Sequence, residues 1–123
     1  MSMTAASRRG ADDRRIAFVR LPHNVDLTNV RVIRTALAGA VADNPSVVIA
    51  DATETAFCDC AGVSALIRAH LRARAAGGQL RVVAPGARVQ RIIAITEADA
   101  VLDVYLTIDD ALADLTRLTG APE

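Results

Sequence analysis

Val47-Val48-Ile49-Ala50-Asp51 is an unbroken apolar run that stops on an acid. A strand with one wet face alternates apolar and polar residues. A run without alternation belongs inside a parallel sheet, covered on both faces. Parallel neighbours require crossover connections of a dozen or more residues, usually helical, and the rest of the chain has the pattern to supply them. Ile16-Ala17-Phe18-Val19-Arg20-Leu21 reads as a strand stopped by Pro22, with a second short strand at Asn24-Val25. Leu80-Arg81-Val82-Val83 is another, closed by Pro85-Gly86, and residues 101–106 contain a last one.

Between these runs the periodicity changes from strand to helix. Val30, Ile33, Leu37 and Val41 form an apolar stripe, after a start at Asp26-Leu27-Thr28 with Thr28 as N-cap and before a stop at Asn44-Pro45. A second helix spans about Gly62 to Ala76, with Val63, Leu66, Ile67 and Leu71 inward and Arg68 and Arg72 sharing another face. Gly77-Gly78 ends it through a left-handed cap. A third runs from Val89 to about Glu97, with Val89, Ile92, Ile93 and Thr96 inward. Thr107 caps a last helix of about 108–118, with Asp109 and Asp110 in its favourable first turn. Strands alternating with helices imply an α/β domain with a central, mostly parallel sheet of four to five strands and about four helices. The domain is expected at 15–119, between a disordered, Arg/Asp-rich tail at 1–14 and a short tail at 120–123.

Composition narrows the function. The 123 residues suit one domain. Over half are hydrophobic and almost none aromatic, so the core must be Val, Ile, Leu and Ala. The formal net charge is zero and every basic residue is Arg. No clustered basic stripe marks a nucleic-acid footprint. No apolar run approaches the roughly 18 residues of a membrane span, and no signal-peptide core is present, so a cytoplasmic protein without membrane insertion is expected. A disulfide scaffold does not suit a chain this apolar with two cysteines, Cys58 and Cys60. A zinc site from these with His23 and His70 is disfavoured, because His70 falls about two helical turns beyond Cys60. No metal or cofactor is expected.

In parallel α/β sheets, working loops gather at the carboxyl ends of strands. The segment from Asp51 to Gly62 is such a loop, and it closes on Asp59-Cys60-Ala61-Gly62-Val63-Ser64. A helix start presents unpaired N–H groups and a partial positive charge, so Cys60 is displayed where an anion is welcome. Asp59 reads as a capping residue, Asp51 as a strand end, and Asp26 as a turn or capping residue. Gly62 reads as a position needing backbone freedom or a close approach.

These residues, in this order, resemble the STAS family, the domain of bacterial anti-sigma factor antagonists. The resemblance covers about residues 16–118. His23-Asn24-Val25-Asp26 stands where the family has a Gly-Glu-Leu-Asp-like turn, and Asp51 ends the buried strand. Asp59-Cys60-Ala61-Gly62 stands where the family has Asp-Ser-Ser-Gly. Gly77-Gly78, the helix at Val89-Gln90-Arg91-Ile92-Ile93, and the helix start Thr107-Ile108-Asp109-Asp110-Ala111 follow in family order. The resemblance implies a non-catalytic switch. The unmodified antagonist binds an anti-sigma factor that is also an ATP-binding serine kinase, which frees a sigma factor for transcription. Phosphorylation of the first Ser of the motif then releases the antagonist, because a phosphate places nearly two negative charges within the contact.

Here Cys60 occupies the phosphoacceptor position and Ala61 replaces the second Ser. A serine kinase does not phosphorylate a thiol, so the usual off-switch is expected to be missing. The contact surface is expected at the 53–64 loop and the exposed side of the next helix: Thr55, Cys58, Asp59, Cys60, Ala61, Gly62, Ser64 and Arg68. Ser64 and Thr55 are the substitute hydroxyls. Two other readings stay open. One is a STAS accessory subunit gripping a membrane-transporter ATPase. The other is a redox sensor using Cys58 and Cys60, since a helix N-terminus favours thiolate and the extended C-x-C spacing of about 6.6 Å permits a strained disulfide. Nucleotide binding at the loop is a weaker addition. The sequence leaves the oligomeric state, monomer or homodimer, open.

Overall fold

The computed structural model describes residues 5–9, by backbone alone, and residues 15–113. Among the described residues there are seven strands: β1 (Ala5–Arg9), β2 (Arg15–Arg20), β3 (Asn24–Val25), β4 (Val47–Asp51), β5 (Phe57–Cys58), β6 (Gln79–Val83) and β7 (Asp103–Tyr105). The helices are α1 (Val30–Ala42), α2 (Cys60–Ala75), α3 (Ala87–Ile95) and α4, described over 108–113. A 3-10 turn at Ala98–Ala100 precedes β7.

The main sheet has the order β1-β2-β4-β6-β7. All its pairings are parallel except β1 with β2. β1 lies within the stretch read as a tail; Ala5 faces Val19 and Arg9 faces Arg15 across the antiparallel ladder. Residues 1–4, 10–14 and 114–123, including the remaining tail assignments and the end of the last helix, lie outside the described residues.

β4 sits at the centre, as its composition requires. Val48 lies between Ala17 and Leu80, and Ala50 between Val19 and Val82, all buried. These residues face α1, α2 and α3 and form the main core with Ile33, Leu37, Leu66, Val89 and Ile93. The opposite face, with Val47, Ile49 and Val83, meets Ile108, Ala111 and Leu112 of α4. Arg81 lies on that second face. Its guanidinium donates to the Ala111 carbonyl at 2.7 Å, and its Nε–H to Gln79 Oε1 at 3.2 Å. It also stands 5.5 Å from the Tyr105 ring centroid.

Three sequence expectations are corrected. Thr28 is not the N-cap of α1; Asn29 is, because Thr28 is taken into a turn closed by Asp26. Leu71 points outward, and Ala65, Ala69 and Ala73 fill the inward stripe of α2 instead. Small residues there let α2 lie close to the sheet and α1. Thr96 is exposed at the end of α3, where its hydroxyl bonds the Ile92 carbonyl. Gly77 takes φ +88, the left-handed cap that ends α2. Thr107 accepts the Asp110 amide and starts α4.

Candidate functional site

The site is built at the carboxyl end of the sheet, where chain leaving β2 and β4 forms a second small parallel sheet. β3 pairs with β5, Asn24 against Phe57 and Val25 against Cys58. The main-chain carbonyls at 22–25 template the loop after β4. The His23 carbonyl accepts from the amides of Ala56 at 2.8 Å and Phe57 at 3.3 Å, and Val25 accepts from Asp59. Thr55, buried, donates its hydroxyl to the Pro22 carbonyl at 2.9 Å.

Two acids close short turns in the same way. Asp26 accepts from the amide and hydroxyl of Thr28, and Asp51 from the amide and hydroxyl of Thr53. The Thr28 hydroxyl, then its amide, hold the Asp26 carboxyl below the usual carboxylate range. Both acids organise backbone at this end of the sheet.

Asp59 caps α2, accepting the Gly62 amide on Oδ1 at 3.1 Å. Helix α2 therefore begins at Cys60, earlier than the glycine start read from sequence. Cys60 is exposed at the first helical position, and Ser64 and Arg68 are exposed along the same helix. Gly62 is needed for close approach. A Cβ there would lie 2.5 Å from Val25 Cγ1 and 2.6 Å from Cys58 Sγ, both buried side chains. No real Cβ sits that close, so the bare glycine lets the helix start press onto β3 and β5.

The residues expected to share one contact surface thus divide. Cys60, Ser64 and Arg68 face solvent, while Asp59 and Ala61 are half-buried. Thr55, Cys58 and Gly62 are buried and support the loop from beneath. Cys58 is only 6% exposed and directs its thiol to the Asp59 carbonyl. Burial, then the charge of Asp59, push that thiol up to about 11. The two cysteines are free, one inside and one outside. His70 is buried in α2 with Nδ1 unpartnered among the described residues. No group of three or more His, Cys, Asp or Glu among the described residues could hold a metal ion.

Two flanking surface residues were not singled out from sequence. Leu27, 76% exposed, follows β3, and Phe57, 44% exposed, lies on β5. Phe57 is one of only two Phe in the chain, and that rarity was the available signal. The pairing of β3 with β5, which brings both residues to this end of the sheet, has no sequence signature.

A parallel sheet with successive crossover helices on one face, and a capped helix start at its carboxyl edge, define a family. The STAS domain model matches residues 11–111, and the chain belongs to that family. Among solved structures, it is similar to an anti-sigma factor antagonist from Mycobacterium paratuberculosis. The two share 26% identity over 92% of this chain and 93% of that one, with a TM-score of 0.78. The unphosphorylated form of the Bacillus anti-sigma factor antagonist SpoIIAA is 18% identical over 96% of this chain and 100% of that one, with a TM-score of 0.70. The fold also recurs within the murine solute carrier 26 family member A9 anion transporter. There it matches 94% of this chain but 22% of that one, at 17% identity and a TM-score of 0.72. No curated protein matches the sequence. No helix among the described residues is long and apolar enough to cross a membrane.

Proposed function

We propose that this protein is an anti-sigma factor antagonist. It binds an anti-sigma factor of the ATP-binding serine kinase type, frees a sigma factor, and is not switched off by phosphorylation at position 60. The observation that carries this reading is the exposed Cys60 at the first turn of α2, held there by the Asp59 cap and the Gly62 approach. These features support the reading: the helix start is capped, and a thiol stands where the resemblance places the acceptor hydroxyl. The contact is built from Cys60, Ser64 and Arg68 of α2, with Leu27 and Phe57 as apolar flanks. The protein acts by binding, with no reaction of its own.

A phosphate on Thr55 would require the loop to open, since its hydroxyl is buried against the Pro22 carbonyl. Ser64 is exposed but one helical turn further along. The reading is tested by recovering the partner from native lysate with the full chain as bait, then incubating the pair with ATP. The expected outcome is an ATP-binding anti-sigma factor that stays bound and leaves the wild-type chain unmodified. Cys60→Ser should then accept phosphate and dissociate. Phosphate on wild-type Ser64, or recovery of a transporter ATPase in place of an anti-sigma factor, refutes the reading.

The redox alternative has less support from the geometry. A switch using both thiols would have to bring Cys58 out of the core, against a thiol held protonated to about 11.

A further inference from the structure

The helical face of the sheet carries a charge imbalance that the loop does not use. Helices α1, α2 and α3 contain seven arginines and not one carboxylate, in a chain whose formal net charge is zero. Four of these arginines line a single groove of about 410 Å³ between α1 and α2. Arg31 and Arg34 lie on the α1 wall, Arg68 and Arg72 on the α2 wall, and Ala38, Ala65 and Ala69 lie between them. All four arginines are exposed, and none has an ion-pair partner among the described residues.

We propose that this groove is a docking site for an acidic amphipathic helix of a protein partner, with a small or apolar seam between two rows of carboxylates. The shape fits that occupant. The lining residues run from 31 to 38 on one helix and from 65 to 72 on the other, about 10 Å or two turns at ~1.5 Å per residue. Alanines between the walls permit the interaxial approach of about 8–10 Å at which helices pack. Arginine stems can cover apolar walls while their heads reach outward, and each guanidinium can take a carboxylate in a two-pronged contact. Arg31 and Arg34 are one turn apart, as are Arg68 and Arg72, matching carboxylates at i and i+3 or i+4 on a partner helix.

Other occupants suit the groove less well. Its cations stand in two rows along the helices instead of converging on one point, which disfavours a small phosphate. It is two turns long and lined by no aromatic side chain, which disfavours a nucleic acid strand. A second copy presenting the same α1–α3 face is a poor match, because that face carries no acid. The groove omits Asp59, Cys60 and Gly62 and shares only Arg68 with the contact proposed above, so its occupant is argued independently of the loop.

The test uses the full chain, labelled for amide-resolved NMR. The probe is a synthetic capped helical peptide of about 18 residues, with an Ala/Leu seam flanked by Glu one turn apart. Amide shifts should concentrate at 31–38 and 65–72, and binding should weaken as salt rises. Arg34→Glu with Arg72→Glu should weaken it at least about tenfold, and Arg34→Gln with Arg72→Gln should weaken it less. A Lys-flanked peptide should then bind the charge-reversed chain. Cys60→Ser should leave the affinity unchanged, which separates failure here from failure of the loop reading. The proposal is overturned if a Gln-flanked peptide binds as well, if shifts centre elsewhere, or if a short RNA duplex or inorganic pyrophosphate displaces the peptide. A concentration-dependent dimer abolished by the same arginine changes also overturns it.

Discussion

Gly62→Ala is expected to destabilise this protein although it places a better helix former in a helix. The added methyl would meet Val25 Cγ1 at 2.5 Å and Cys58 Sγ at 2.6 Å, roughly 1 Å short of ordinary contact on both. Neither neighbour is a flexible surface end; Val25 and Cys58 are 2% and 6% exposed. Relief must come from shifting α2 off the β3–β5 pair, which would also strain the Asp59 cap on the Gly62 amide. Overpacking of this kind costs about 1–3 kcal/mol. The helical preference of Ala over Gly returns at most about 1 kcal/mol, so a net loss of up to about 2 kcal/mol follows. Gly39→Ala supplies the control. Gly39 is also helical, in α1, and a Cβ there meets nothing within 4 Å. It should stabilise by about 0.5–1 kcal/mol. The two substitutions are chemically identical and opposite in sign. Urea denaturation of the full chain reads both, and Cys58→Ala combined with Gly62→Ala should recover part of the loss. If both glycine substitutions stabilise, α2 does not press on β3 and β5, and the account of the site is wrong.

Asp59→Ala should cost about 1 kcal/mol by removing the α2 cap, while Asp59→Asn should cost less; the same denaturation assay checks both. Under native conditions iodoacetamide should label Cys60 quickly and Cys58 only after unfolding, as read by peptide mass; equal labelling would place Cys58 outside the core. The raised Cys58 value carries a sign for stability. Below the ordinary thiol range both states hold the proton, and between about 9 and 11 only the folded state does, so stability should fall as pH rises through that window and Cys58→Ala should flatten the fall. Arg81→Leu removes the donor to the Ala111 carbonyl and should cost about 1.5–3 kcal/mol, with the earliest loss of amide protection in α4 by hydrogen exchange.

The sequence by itself determined the alternation that makes this an α/β protein. An apolar run as complete as Val47–Ala50 has one stable environment, the doubly covered centre of a parallel sheet, and it occupies that place between β2 and β6. Helix stripes, the Gly77 stop and the Thr107 start were legible for the same reason: they depend on residues a few positions apart. The capped start of α2 was legible as well, because Asp59 and the Gly62 amide it accepts from stand three residues apart. Tertiary structure decided everything that depends on which segments meet. Thr55 and Cys58 look like surface loop residues in the sequence, but pairing of β3 with β5 turns both inward. Leu71 fits a helical stripe, yet the axis of α2 is set by Ala65, Ala69 and Ala73 against the core, and Leu71 is left outside. Gly62 could be any flexible position until Val25, thirty-seven residues earlier, is seen against it. Arg31 and Arg68 are unrelated in the sequence, and only the packing of α1 beside α2 makes them opposite walls of one groove. Local periodicity fixes what each segment is, and long-range contacts fix which of its faces has a neighbour.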